Sequence, residues 1–446
     1  MARFCAGFNV MNQMLRQHVG NPTMRHHNTL LHDLGKAMPR WRFEHLVRRT
    51  GADRRVRTLP SWSQFVALVY AQLAGITSLR ELVAALASHA NHAYHLGLGP
   101  IRRSTLAEAN AKRPLGLYEA VLASLLNQLQ PRVAQGAREA LRLVDATTIK
   151  LSALSGWARF GAHHNAAKLH VVYDPDAEVP TFFEITRARV NDITVAKAMP
   201  SEAGATYVFD KGYYDFAFWA QLDAAGCRFV TRRKVNTPLA VIATRPPSDP
   251  AIQADVVGRL PGRLARNRQN PYAKPVRMVT VVRDDGQTLD LLTNDLAAEA
   301  SAIAALYKAR WQVELFFRWV KQNLKIKRFL GTSEHAIKLQ ILTALIAYVL
   351  LRLAQDAWPA APSLQQLARL ARANLMHRKT IADLLHPPPR PGPRPASPQL
   401  ALDFSHVLNR TALGPTRASM LSSCGGGAAG DMEHRGILEF QTGHGG

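Results

Sequence analysis

Four polar side chains in the stretch Tyr307 to Lys327, YKARWQVELFFRWVKQNLKIK, have the spacing of one helix face. The stretch contains neither Gly nor Pro and its apolar residues recur at helical intervals, which predicts a single long amphipathic helix. At about 100° per residue, Tyr307, Arg310, Glu314 and Lys321 fall within an arc of roughly 60°. They border an apolar stripe of Leu306, Val313, Phe316, Phe317, Val320 and Leu324. One carboxylate is therefore ringed by a phenol, a guanidinium and an ammonium. On an isolated helix this would be an ordinary solvated ion-pair ladder. Two acids upstream change the weighing. Asp145 closes the apolar run of LRLVD, and Asp210 closes YVF just before Lys211 and Gly212. Either one alone reads as a strand-end cap or turn former. Together with Glu314 they form a set of hard oxygen donors suited to Mg²⁺. Two such ions about 4 Å apart support in-line phosphoryl displacement.

The elements that must position these acids follow from the pattern along the chain. Residues 1–23 show no periodicity and read as an arm. Residues 24–130 are helical throughout, in segments such as LLHDLGKAM, SQFVALVYAQL and LYEAVLASLLNQL. Their connectors are basic (Arg48, Arg49, Arg54, Arg55, Arg57, Arg102, Arg103), and a solvated face or contact with phosphates explains them equally well. From residue 138 to 234 the reading is three strands (LRLVDATTIKL, KLHVVYD, PTFFEITRARV), a helix near Ile193 to Met199, a strand ending at Asp210, a helix closed by Gly226, and a strand CRFVTRRK. Residues 235–297 form a β-rich insertion with a hairpin turning at Asp285-Gly286. Residues 298–385 carry the Glu314 helix and further helices. Residues 386–446 are rich in Pro and Gly and read as a disordered tail. The fold class is multidomain α+β: an all-helical N-terminal domain, a mixed α/β core interrupted by the insertion, and a helical C-terminal region.

The balance of charge narrows the partner. Against 32 Asp and Glu stand 56 Lys and Arg among 446 residues, a net charge of +24, so a polyanion is expected and nucleic acid comes first. A membrane is not expected as a partner. The longest apolar run, Leu339 to Leu351, is broken by Gln340, falls short of the roughly 20 residues of a membrane span, and reads as a buried helix. Cys5, Cys227 and Cys424 match no zinc or disulfide spacing, and the first residues lack the layout of a secretory signal, so a cytoplasmic setting is expected. His163, His164 and His170 lack the partners of a zinc site and read as belonging to a basic, DNA-facing loop.

With these residues in view, the chain resembles the DDE transposases of bacterial insertion sequences. Tyr307-x2-Arg310-x3-Glu314-x6-Lys321 is similar to the YREK signature of the IS-four group. DATTIKL around Asp145 and Asp-x-Gly-Tyr from Asp210 to Tyr213 are similar to the other two acidic motifs. HHNTLLHDL, GITSLREL and RRSTLAEANAKRP resemble the group's helical DNA-binding region. The resemblance covers about Met24 to Phe404.

It implies a ribonuclease-H-like catalytic core in which Asp145, Asp210 and Glu314 ligate Mg²⁺, with Mn²⁺ able to substitute. It also implies that Tyr307, Arg310 and Lys321 grip the phosphates and end bases of the element, with Trp311 and Arg318 bordering the same face. The implied reaction is metal-dependent cleavage of double-stranded DNA at terminal inverted repeats followed by strand transfer into target DNA, by a homodimer holding two ends. Two other readings stay open at this stage: a ribonuclease-H-like nuclease without strand transfer, and a catalytically inactive DNA-binding descendant. Lys321→Ala is expected to weaken binding to the element's ends and to flatten its salt dependence, measured by titrating salt in an end-binding assay.

Overall fold

Apolar residues at spacings of three and four build seven helices before the first strand in the computed structural model, which describes residues 28–129 and 140–385 apart from 162–163, 248, 264–267, 284, 325–328 and 359–361. The expected arm at 1–23 and tail at 386–446 lie outside the described residues. The seven are α1 (Leu30–Gly35), α2 (Arg40–Thr50), α3 (Ser61–Ala74), α4 (Leu79–Ser88), α5 (Ala90–Ala93), α6 (Arg103–Lys112) and α7 (Leu115–Leu126). The start of α4 is fixed by reciprocal capping. Ser78 Oγ accepts from Glu81 N at 3.1 Å while Glu81 Oε2 accepts from Thr77 N at 2.9 Å. Periodicity did not single out α6, because its apolar face is slight: Leu106 and Asn110 are its buried residues.

The sheet supplies the floor of the site. Its strands are β1 (Leu141–Leu151), β2 (Asn165–Asp174), β3 (Val179–Arg187), β4 (Thr206–Phe209), β5 (Arg228–Arg232), β6 (Ala240–Arg245), β7 (Ile252–Arg259), β8 (Val276–Val282) and β9 (Thr288–Thr293). They lie in the order β3-β2-β1-β4-β5-β9-β8-β7-β6. Strands β1, β4 and β5 run parallel, and the other pairings are antiparallel. Two helices connect the parallel strands, α8 (Asp192–Ala198) before β4 and α9 (Phe216–Ala224) between β4 and β5. The β-rich stretch 235–297 is no detached sheet. Its last strand pairs with β5, Thr231 opposite Leu292, so β6 to β9 continue the core sheet.

The expected single helix at Tyr307–Lys327 is two, and it begins earlier. Helix α10 spans Ala300–Ala309 and α11 spans Trp311–Asn323; residues 325–328 lie outside the described set. Between them Arg310 keeps helical angles (φ −51°, ψ −31°), but Arg310 N bonds to Tyr307 O at 3.1 Å and Val313 N to Arg310 O at 3.3 Å. These i to i+3 bonds tighten the backbone as a 3₁₀ turn does. Composition carries no mark of the break, since no Gly or Pro is present.

Three further helices complete the order: α12 (Glu334–Asp356), α13 (Leu364–Asn374) and α14 (Ile381–Leu385). Helix α12 is long and apolar enough to span a membrane, yet its most apolar window is 83% buried within the fold, as the run from Leu339 predicted. It packs against α3, α6, α7, α11 and α13, so one apolar core joins the N-terminal helices to the helix bearing Glu314. Phe316 of α11 pins that helix. Its ring lies 5.1 Å from Tyr173 of β2 and 5.1 Å edge-on from Tyr348 of α12. Phe316→Ala is expected to cost about 3–5 kcal/mol in stability, read from the shift in a urea unfolding midpoint.

Candidate active site

The register of the parallel strands decides where the acids go. Val144 of β1 pairs with Phe209 of β4, and Phe209 with Thr231 of β5, so the next residues, Asp145, Asp210 and Arg232, stand side by side at one level. Neighbouring strands are about 4.8 Å apart. Strand β4 ends at Phe209, while β1 runs on to Leu151 paired only with β2, which leaves the flank of Asp145 open. Both aspartates thus lie at the carboxyl ends of parallel strands, where sheets of this kind form clefts.

Each aspartate commits one oxygen to the backbone. Asp145 Oδ1 accepts from Ala146 N at 2.8 Å, and Asp210 Oδ1 accepts from Gly212 N at 2.7 Å, capping the 3₁₀ turn Lys211–Tyr213. The second bond explains the glycine: a Cβ at position 212 would sit 2.8 Å from that same Oδ1.

The third acid approaches from α11, which packs on β1. Glu314 Oε1 is held by Arg310 Nη2 at 2.7 Å, and the Arg310 guanidinium also lies 5.7 Å from the Tyr307 ring. Burial raises the Asp145 carboxyl from 3.8 to about 6; the Ala146 N–H and Arg310 oppose the rise, while the charges of Asp210 and Glu314 add to it. Burial also raises the Tyr307 phenol, with Arg310 and Arg232 drawing it down and Asp210 pushing it up. Asp145, Asp210, Glu314, Tyr307 and Arg310 therefore act on one another across a single cleft. Among the described residues, however, no three His, Cys, Asp or Glu side chains close into a shell tight enough for a metal ion. Glu314 is paired with Arg310 instead.

The other expected site residues lie further along α11. Lys321 is two turns beyond Glu314, about 10 Å along the axis, and half-buried. Arg318 lies over the Trp311 ring at 5.7 Å, and Trp311 is 49% exposed, so half of the indole remains open to solvent. Of the three histidines, His170 departs from expectation. His163 lies outside the described residues, His164 is exposed, and His170 is no loop residue but a buried one inside β2, opposite Ala146. Inspection of the sequence missed Arg232. A signal was present: LVD, VFD and VTR are three apolar strand ends, each followed by a charge.

Comparison with known proteins identifies the family. Residues 136–350 match the model of the transposase DDE domain, and residues 26–99 match that of a domain of unknown function. The chain is 42% identical over 287 residues to "Putative transposase y4zB" of Sinorhizobium fredii, covering 64% of this chain and 80% of that protein. The chain belongs to the DDE transposases of insertion sequences. Two further transposases match at lower identity. Identity is 29% to "Probable transposase for insertion sequence element IS5377" of Geobacillus stearothermophilus, over 58% of this chain and 69% of the relative. It is 25% to "Putative transposase for insertion sequence element IS4SA" of a Synechocystis strain, over 56% and 71%. The YREK spacing is consistent with the IS-four group.

The donor set of Asp145, Asp210 and Glu314 is all oxygen, the kind that suits a hard divalent cation, and a cation there would offset the burial and the neighbouring negative charges that raise Asp145. Without a cation the charge on Asp145 is a cost to folding. Asp145→Asn is expected to stabilise the metal-free protein by about 2 kcal/mol above pH 6. The gain should shrink as pH falls through 6 and vanish below about pH 4, where wild-type Asp145 is itself protonated; thermal unfolding across that range measures it.

Proposed function

We propose that this transposase cuts DNA at the inverted-repeat ends of its insertion sequence and joins the freed 3′ ends to target DNA, with Asp145, Asp210 and Glu314 holding divalent cations. The observation that carries this reading is the β1–β4 register, which sets two acids at one level while Glu314 acts on the first of them from α11. The order β3-β2-β1-β4-β5, with β2 reversed, supports a ribonuclease-H-like core. All-oxygen ligands favour Mg²⁺, with Mn²⁺ as a substitute. When bound, a pair of such ions activates the attacking oxygen and stabilises the leaving one.

The remaining roles fall to the chain's own side chains. Arg310, Tyr307 and Lys321 hold phosphates and end bases of the element, and Arg232, exposed beside Asp210, adds a cation on the same edge. Trp311 and Arg318, stacked and facing solvent, offer a surface for an unpaired end base. Two ends must be held together, which calls for a homodimer, acting on cytoplasmic DNA.

The test is a Mg²⁺-dependent reaction on duplexes carrying the element's terminal repeats, with a target plasmid present. Cut and joined products are expected from the wild type. Asp145→Asn, Asp210→Asn and Glu314→Gln should fall to background while end binding persists. Cutting without joining would point to a plain nuclease, and binding without cutting by the wild type to an inactive descendant. Robust cleavage by Asp210→Asn would overturn the site.

A further inference from the structure

The connector between α2 and α3 carries three of the arginines that composition alone assigns equally well to a solvated face or to phosphate contact. Its ends are buried and its middle is not. Ala52 and Leu59 are 4% and 5% exposed, whereas Arg54, Arg55, Val56 and Arg57 between them face solvent. Elsewhere among the N-terminal helices exposed cations have acidic partners: Lys36 pairs with Asp33, Arg40 with Glu44 and Lys112 with Glu108. Among the described residues no ion pair engages Arg54, Arg55 or Arg57. The one acid of the connector, Asp53, turns inward.

What fixes this loop is a buried guanidinium from another element. Arg113, directly after α6, is 5% exposed and donates to both buried ends of the loop, to Ala52 O at 3.0 Å and to Leu59 O at 2.6 Å. It also donates to Asp53 Oδ1 at 2.9 Å, an oxygen that accepts from Ser61 N and Ser61 Oγ at the start of α3. Its Nε reaches Gln64 Oε1 of α3 at 3.0 Å, and Gln64 Nε2 in turn donates to Asn110 Oδ1 of α6 at 2.8 Å. Burying a charge is costly unless it is paired and hydrogen-bonded, and here every partner serves to close the loop.

The backbone inside the loop gives a second sign. Val56 N bonds to Asp53 O at 3.1 Å, which closes a turn whose third residue, Arg55, lies at φ 65°. Gly or Asn is the usual occupant of such a position, because a Cβ crowds the backbone there. The turn alone does not call for an arginine.

We propose that Arg54, Arg55 and Arg57 form a preformed clamp for the phosphate backbone of double-stranded DNA, with Arg113 the positioning residue that holds the loop in shape. A guanidinium offers phosphate oxygens two parallel N–H donors, and a loop ordered in advance loses less conformational freedom on contact. The net charge of +24 favours a polyanion, and a duplex presents phosphates densely enough for three neighbouring cations to be used at once. Such contacts set the protein's place on the duplex and carry no sequence information. The clamp rests on DNA as the partner and not on the acids of the cleft, so either can fail without the other.

The test is binding of the full chain, with no divalent cation present, to a duplex carrying the element's terminal repeats and to one of scrambled sequence, over a range of salt. Replacing Arg54, Arg55 and Arg57 together by alanine should weaken both complexes alike and lower the slope of log affinity against log salt by about 3. Arg55→Gly should weaken binding while the melting temperature stays level or rises, since glycine relieves the positive φ. Arg113→Lys, or the milder Asp53→Asn should that variant not fold, is expected to weaken binding with the slope retained and to cost nothing further in the triple-alanine background. An unchanged slope in the triple variant would overturn the clamp, and a loss confined to the terminal-repeat duplex would overturn the phosphate contact in favour of base reading. A lower melting temperature with unaltered binding in Arg55→Gly would make that arginine structural. A full further loss from Arg113→Lys in the triple-alanine background would sink the positioning role alone.

Discussion

Burial of one carboxylate beside two others is the constraint on which the site depends. Strand pairing sets Asp145 beside Asp210, and burial forbids water from screening them fully. The surroundings offset the cost of that burial without removing it. A backbone N–H steadies one oxygen of each aspartate, and Gly212 exists to let its amide come close enough. Arg310 offers a positive charge to Glu314 and, at longer range, to Asp145. The result is a cleft in which the charge on Asp145 costs stability, a cost that the divalent cations of the proposed function would offset.

How much of this was legible in the sequence depended on whether a signal was local. The strands bearing Asp145 and Asp210 show themselves as apolar β-branched runs ending in an acid, and the Glu314 helix shows its period plainly. The strands stand where the pattern put them, and the helix does too apart from its earlier start and its break. What periodicity cannot carry is pairing. That β9 joins β5 and turns an apparent insertion into four more strands of one sheet depends on contacts between residues some sixty positions apart, and no local pattern encodes it. The break at Arg310 was hidden for the opposite reason. It uses good helix formers throughout and differs from a plain helix only in which carbonyl each amide selects. His170 was misread because its neighbours KLHVVYD look polar at their start, whereas its burial arises from β3 and α8 closing over it.

The helical regions before and after the sheet are a single packing problem in three dimensions. Helix α12 is apolar on nearly all sides because helices from both ends of the chain cover it, which is why it passes for a membrane span by composition. Its Tyr348 touches both Phe316 and Trp319 of α11, so the placement of the third acid depends on residues far from it in sequence.

The pairing of Arg310 with Glu314 has a thermodynamic corollary. One guanidinium edge cannot serve a carboxylate and a DNA phosphate fully at once, so any ion that draws Glu314 away leaves Arg310 freer for the nucleic acid, and a phosphate that engages Arg310 likewise frees Glu314. Linkage makes the exchange mutual: each occupant lowers the cost of admitting the other by the same amount. Under the proposed function, a bond spanning one helical turn would serve as a safeguard, keeping the acids from assembling until there is a strand to cut.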